Sequence, residues 1–281
     1  MNYSQNPNST PRFFITGNTG FIGTWLTSET KAKGLDSKEC DIRDYDSLKK
    51  VILKDKPTHL IHLAAIANPD TCEKNPQLAW DVNVKGTENV LKISKEEGIK
   101  VTLMSTALLY NEKKYPLKET DTLKETGNVY IKTKLECEKL ARKYDATIIR
   151  AFNQEGPNRP AEYFTSKVIL SCIKNIPLNL WNPSQVREYM DVRDGIKGIH
   201  LISLKGNGTY NLSTGKGMSK LEYVKLVEAT LHKKIDYTIE KDEAQNIIIG
   251  DNTRLRELGW TQKYALEKTI IDQAETLKKL V

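Results

Sequence analysis

Tyr130 and Lys134 stand four residues apart in the run Asn128-Val129-Tyr130-Ile131-Lys132-Thr133-Lys134-Leu135-Glu136. On an α-helix that spacing stacks both side chains on one face. An ammonium beside a phenol stabilises the phenolate, so the tyrosine can give and take a proton below its ordinary pKa of about 10. The pair is a general acid/base device. The same spacing also fits an amphipathic helix with a half-buried tyrosine and a solvated lysine, so the neighbouring motifs decide its weight.

The first is Gly17-Asn18-Thr19-Gly20-Phe21-Ile22-Gly23, which follows the β-rich run Arg12 to Thr16 and leads into a helical pattern through Trp25 and Leu26. Glycines let a backbone approach phosphates closely, and a helix N-terminus offers N–H groups and partial positive charge. Strand, glycine loop and helix together make a dinucleotide site of Gly17, Thr19, Gly20, Phe21, Ile22 and Gly23, although G-x-x-G-x-x-G is not the commoner spacing. A tight glycine turn without a ligand is the bland alternative.

Such a helix normally runs into a second strand ending in an acid about 20 residues past the glycines. Here Lys31 to Cys40 leaves that strand shortened or missing. Asp36 is a possible ribose ligand in a turn-like setting. Lys31, Lys33 and Lys38 suit a 2′-phosphate as well as they suit an exposed helix end, and they tilt the expected cofactor to NADP(H) over NAD(H). Asp41-Ile42 is read as the close of the next strand. A helix is expected from about Tyr45 to Lys54, with Leu48, Val51 and Ile52 on one face.

His59 to Ala65 reads as a buried strand whose end, Leu63, Ala64 and Ala65, is small enough to admit a cofactor. Asn68 to Pro76 reads as a loop, and a long helix carrying Asn83 should run from about Gln77 to Glu97 and stop at Gly98. The next strand, from Lys100, delivers Ser105 and Thr106 to its carboxyl end, where parallel sheets bind ligands. Alternating strands and helices of this kind predict an α/β fold: a Rossmann-like parallel sheet with helices on both faces and a small C-terminal substrate-binding lobe.

With the glycine loop, Asn83, Ser105-Thr106 and Tyr130 to Lys134 in this order, the chain resembles the extended short-chain dehydrogenase/reductases, the NAD-dependent epimerase/dehydratase superfamily. The resemblance runs over roughly residues 12 to 280. It implies Tyr130 as proton donor, Lys134 as the ribose-binding residue that lowers the tyrosine pKa, Thr106 as hydrogen-bond partner of the substrate oxygen, and Asn83 as support for the lysine. It also places Asp41 and Ile42 beside an adenine ring. Asn128 to Glu136 and the Asp70-Thr71-Cys72-Glu73 segment look like dTDP-4-dehydrorhamnose reductases. Arg150 to Pro157 and Arg187 to Asp194 look more like GDP-4-keto-6-deoxymannose reductases and GDP-mannose dehydratases. Ile131 and Asn111 replace glycines that many relatives carry.

Dehydratases of this superfamily place Asp-Glu directly after the threonine, whereas this chain has Ala107-Leu108, which argues against dehydration. The expected activity is therefore reduction of the C4 ketone of a nucleotide-diphosphate 4-keto-6-deoxy sugar in deoxysugar or cell-surface glycan precursor biosynthesis. Its rivals are an epimerase with retained NAD and a non-catalytic NAD(P)-sensing subunit. Substrate contacts are expected from Thr106, Asn153, Lys167, Arg187 and Arg254; a guanidinium can hold a diphosphate bidentately. The family also implies a homodimer.

The 281-residue chain carries a net charge of +7, yet its basic residues are mostly lysines interleaved with 36 acids, the pattern of a solvated surface and not of a nucleic-acid partner. Four dispersed cysteines predict neither a zinc site nor a disulfide framework. No apolar stretch is long enough to span a membrane, so a soluble cytoplasmic protein is expected. The domains are read as a frayed tail over 1–11, a cofactor domain over 12–150, and a mainly substrate-binding lobe over 151–281, with segments near 185–215 returning to the first domain.

Overall fold

The computed structural model describes residues 10–111, 114–243 and 246–279; most of the expected tail lies outside them. In chain order its strands are β1 (Phe13–Thr16), β2 (Lys33–Leu35), β3 (His59–His62), β4 (Lys100–Thr106), β5 (Thr147–Ala151), β6 (Gln154–Glu155), β7 (Leu178–Trp181), β8 (Val186–Arg187), β9 (Met190–Asp191), β10 (Thr209–Leu212), β11 (Met218–Ser219) and β12 (Tyr237–Lys241). Its helices are α1 (Phe21–Thr30), α2 (Tyr45–Lys54), α3 (Pro69–Lys74), α4 (Pro76–Trp80), α5 (Gly86–Glu97), α6 (Val129–Lys143), α7 (Phe164–Lys174), α8 (Val192–Lys205), α9 (Lys220–Leu231), α10 (Thr253–Glu257) and α11 (Leu266–Lys278).

Two units share the chain. The first takes the residues up to Asn111, Thr122–Arg150 and Ile199–Tyr210; the second takes the segment ending at Asp121, Ala151–Gly198 and the chain from Asn211 onward. The first unit is built on a six-stranded sheet in the order β10-β5-β4-β3-β1-β2, a Rossmann-like sheet with helices on both faces. β1 pairs in parallel with β2 and β3, and β3 in parallel with β4. All four residues of β1 and of β3 are buried, as expected of central parallel strands covered on both faces. Only Leu35 of β2 is buried, which is why this edge strand lasts three residues. The chain steps outward from β1 to β2 and then back past β1 to β3. That reversal opens a crevice at the carboxyl ends of β1 and β3.

Two local expectations are corrected. Asp41 and Ile42 are not in a strand: Asp41 accepts from the amide and guanidinium of Arg43, and the Asp44 amide bonds the Asp41 carbonyl, so a turn replaces sheet pairing. Asn68 to Pro76 is not a plain loop either. Asn68 accepts from the Thr71 amide and Pro69 fills the first helical position, so the Asn-Pro pair starts α3. The long helix expected from Gln77 is α4 and α5 joined through a π-helical turn at Asp81–Lys85 that carries Asn83; it stops at Gly98 in the left-handed conformation.

In the second unit α7, α9 and α11 pack with β7 around Val168, Leu180, Tyr223, Val227 and Ile270. Three two-stranded sheets, β11-β8, β12-β7 and β6-β9, accompany them. Among the described residues, no helix is long and apolar enough to cross a membrane, and no three His, Cys, Asp or Glu side chains could hold a metal ion together. The four cysteines are buried and free.

Candidate active site

The crevice at the ends of β1 and β3 encloses about 420 Å³ and is lined by Gly17, Thr19, Asp36, Asp41, Ile42 and Ala64, among others. Its glycines are there for space. Gly17 has φ +76°, and a Cβ on it would lie 2.8 Å from the Ala64 nitrogen; a Cβ on Gly23 would lie 2.1 Å from the Gly17 carbonyl oxygen. The loop is tied to β2 by the Gly17 amide, 2.8 Å from the Leu35 carbonyl. Gly20 caps α1 without a side chain, and the first turn, Phe21 to Thr24, carries no acid, so this N-terminus favours an anion. Leu63 follows β3 with its amide on the Thr16 carbonyl, and Ala65 lines the crevice with Ala64. A chamber with a glycine-bordered mouth, a largely apolar floor, an Asp41–Arg43 pair on one side and an acidic corner with no such ion pair among the described residues fits the adenosine half of a nicotinamide dinucleotide.

That acidic corner is Asp36, which immediately follows β2. Its carboxylate accepts from the amides of Lys38 and Glu39, and the Lys38 bond above all holds it below the usual carboxylate range. Lys31, Lys33 and Lys38 are exposed, and the Arg43 guanidinium forks onto Asp41. Asp36 was visible in the sequence as a possible ribose ligand, but only the pairing of β2 fixes it at the crevice.

Tyr130 and Lys134 lie on one face of α6 and are 7% and 6% exposed. The helix starts cleanly: the Asn128 side chain accepts from the Ile131 amide, and Glu73 of α3 accepts from the Val129 amide at 2.6 Å. The Lys134 ammonium donates to the Met104 carbonyl on β4 at 2.9 Å. Burial lowers its pKa, and nearby Cys137 and Glu138 work in the opposite direction. Asn83 is buried and supports the same region. Its amide exchanges two hydrogen bonds with the Ile66 backbone and donates to Thr133, whose hydroxyl donates to the Tyr130 carbonyl.

Thr106 ends β4 with its Oγ1 accepting from the Leu108 amide, which leaves its own proton to aim elsewhere. One turn beyond Lys134, Glu138 is fully buried. It accepts from Ser105 at 2.7 Å and from Arg150 of β5 at 3.0 and 2.8 Å, while Arg142 reaches its outer oxygen. Burial would raise the Glu138 pKa, but Arg150 and Ser105 outweigh it and hold the group below its usual range. The ion pair with Arg150 ties α6, which carries Tyr130, to β5, and the Ser105 hydrogen bond ties the same carboxylate to β4, which carries Thr106. Sequence reasoning missed it because Glu138 and Arg150 meet only through the fold.

The remaining candidate substrate residues belong to the second unit. Asn153 is half-buried between β5 and β6, and its carbonyl accepts from the Met190 amide. Arg187, half-buried on β8, donates to the carbonyls of Val186 and Asn246. Arg254 is half-buried on α10, and Lys167 is exposed on α7. Beside Arg187, the buried Glu188 carboxylate accepts from the amides of Thr214 and Gly250 and from two hydroxyls, Ser213 and Thr214.

The model of the NAD dependent epimerase/dehydratase family matches residues 13–213. A UDP-glucose 4-epimerase of Pisum sativum is 25% identical, covering 94% of this chain and 95% of its own. In fold, a Thermus thermophilus UDP-glucose 4-epimerase in complex with NAD gives a TM-score of 0.85 at 21% identity, over 96% of this chain and 100% of that one. RMD from Pseudomonas aeruginosa, complexed with NADPH, gives 0.87 at 20% identity, over 97% and 100%. These matches do not single out the reductases that the Tyr130 helix resembles. With the family model covering most of its length, the chain belongs to the NAD dependent epimerase/dehydratase family.

Proposed function

We propose that this chain is a nucleotide-sugar 4-epimerase that works with NAD kept in the crevice. The observation that carries the proposal is the buried Tyr130–Lys134 face of α6, with Lys134 anchored on β4 at Met104 two residues before Thr106. When bound, the nicotinamide supplies a reversible hydride acceptor at sugar C4. Tyr130 takes the proton of the C4 hydroxyl as hydride leaves, and returns it once hydride comes back to the opposite face. Thr106 donates its free proton to the same oxygen and stabilises its charge. Lys134 favours the ionised form of Tyr130, in which the phenolate can accept the C4 hydroxyl proton, and holds the ribose. Ala107 and Leu108 follow Thr106 without a carboxylate, so a water-eliminating acid is not at hand there.

Asp36 supports NAD over NADP, because a carboxylate accepts from a ribose 2′-hydroxyl and repels a 2′-phosphate. This moves the cofactor reading from NADP(H) to NAD(H), and a cofactor that ends each cycle unchanged suits an enzyme that retains it. The 4-epimerase among the relatives points the same way. Diphosphate binding by Lys167 and Arg187, sugar or diphosphate binding by Asn153, an approach of Arg254 to the nucleotide, and a homodimer remain part of the proposal. A second reading, C4 reduction of a 4-keto-6-deoxy sugar, rests on the likeness of Asn128 to Glu136 to dehydrorhamnose reductases.

The test is to denature the purified protein, identify any released dinucleotide by chromatography, and assay C4 inversion of UDP-, dTDP- and GDP-hexoses without added cofactor. Released NAD and cofactor-free inversion support the epimerase. Turnover that consumes added NADH or NADPH in proportion to product, on a 4-keto sugar only, replaces it with the reductase.

A further inference from the structure

Behind the crevice wall, His62 closes β3 at 2% exposure with each ring nitrogen facing a threonine hydroxyl. Its Nδ1 is 2.6 Å from Thr16 Oγ1, and its Nε2 is 3.0 Å from Thr87 Oγ1. Thr87 Oγ1 is in turn 2.5 Å from the Asn83 carbonyl oxygen, which can only accept. A hydroxyl has one proton. Thr87 therefore donates to Asn83 and accepts from an Nε2–H. The neutral ring then has a bare Nδ1, which accepts from the Thr16 hydroxyl, whose oxygen faces the Ala64 amide at 3.4 Å.

The donors thus run in one direction, from Ala64 through Thr16, His62 and Thr87 to the carbonyl of Asn83, which also accepts from the Cys137 thiol at 3.0 Å. Asn83 holds both the amide and the carbonyl of Ile66. Both ends of Ala64–Ile66, the wall of the cofactor crevice, are therefore fastened to one buried network. It joins β1, β3, the π-helical turn, α5 and α6.

We propose that His62 is a positioning residue for the dinucleotide: its fixed Nε2–H tautomer sets the place of the Ala64–Ile66 wall. This inference rests on the dinucleotide reading of the crevice. Burial, with Lys134 of α6 adding to it, keeps the ring neutral by pushing its pKa down to about 3. Glutamine can mimic the arrangement, with its amide N–H₂ toward Thr87 and its carbonyl toward Thr16. Leucine cannot, and it leaves both hydroxyls without the ring.

The experiment measures NAD affinity by calorimetry on protein stripped of its dinucleotide, for wild type, His62→Leu and His62→Gln, at a temperature where circular dichroism shows all three folded. The expected result is an affinity weakened by about threefold to thirtyfold in His62→Leu, recovery in His62→Gln, and an unchanged KM for the nucleotide sugar in His62→Gln. Equal affinity in all three, or no recovery by glutamine, overturns the inference. Should His62→Leu fail to fold, long-range proton–nitrogen spectra of wild type decide: a protonated Nε2 and bare Nδ1 throughout neutral pH support it, and the opposite tautomer overturns it. A wild type that binds neither NAD nor NADP would instead remove the dinucleotide reading.

Discussion

Replacing Glu138 by Leu would leave Arg150, 1% exposed, with its charge buried and its carboxylate gone, and would also take the acceptor from Ser105. Breaking a buried pair from one side costs about 3–5 kcal/mol, because the surviving charge loses its counter-ion without gaining water; the Tyr110 ring, 4.8 Å from the guanidinium, carries no full opposing charge. In a unit of this size each kcal/mol moves the melting temperature by about 2–4 °C, so the expected fall is roughly 6–20 °C. The double variant Glu138→Leu/Arg150→Met removes both charges and should recover most of that loss. Urea denaturation and calorimetry of the two single variants and the double variant measure the cycle. A Glu138→Leu cost below about 1 kcal/mol, or a double variant as unstable as the sum of the singles, would refute the argument. The pH dependence has a definite sign. Glu138 is held below its ordinary 4.5 in the folded state, so its contribution is complete above that value and is lost as pH falls through the lower folded pKa. The Glu138→Leu variant should lack that part of the acid sensitivity.

Further outcomes follow from single sites. Gly23→Ala forces a Cβ to within 2.1 Å of the Gly17 carbonyl and should weaken dinucleotide binding by roughly fivefold to hundredfold in calorimetry. Asp36→Ser should lower NAD affinity roughly tenfold and narrow its preference over NADP, as read by competitive binding of the two dinucleotides. Glu188→Gln puts a donor-only N–H₂ in place of one carboxylate oxygen, facing the Gly250 amide in one orientation and the Thr214 amide in the other, and should destabilise the second unit by about 1–3 kcal/mol in urea. Unchanged urea midpoints in that variant would show that the carboxylate is not the organising group.

Much of the first unit was legible because its signals are local. The buried runs of β1 and β3, the glycine loop and the periodicity of α2 each lie within a dozen residues, and α2 spans Tyr45–Lys54 as its pattern predicts. What escaped needed partners distant in sequence or finer backbone geometry. The π-helical turn at Asn83 changes hydrogen-bond spacing without changing composition. Asn68-Pro69 reads as a turn until its cap is seen. Asp36 gains a role only once β2, with one buried residue, pairs with β1. Glu138 and His62 look like an ordinary helix acid and an ordinary core histidine, and their meaning lies in Arg150, Ser105, Thr16 and Thr87. The candidate residues of the second unit came from motif likeness alone, and the structure gives them partners rather than roles.

The central claim, reversible hydride transfer at C4 with Tyr130 as the proton carrier, is tested most directly with a nucleotide hexose deuterated at C4 and no added cofactor. The account predicts that deuterium stays at C4 in both epimers, without exchange into water, and that Tyr130→Phe lowers the rate by about two to four orders of magnitude while dinucleotide stays bound. Deuterium that enters C4 from labelled NADH or NADPH in stoichiometric turnover, or full activity in Tyr130→Phe, would contradict it.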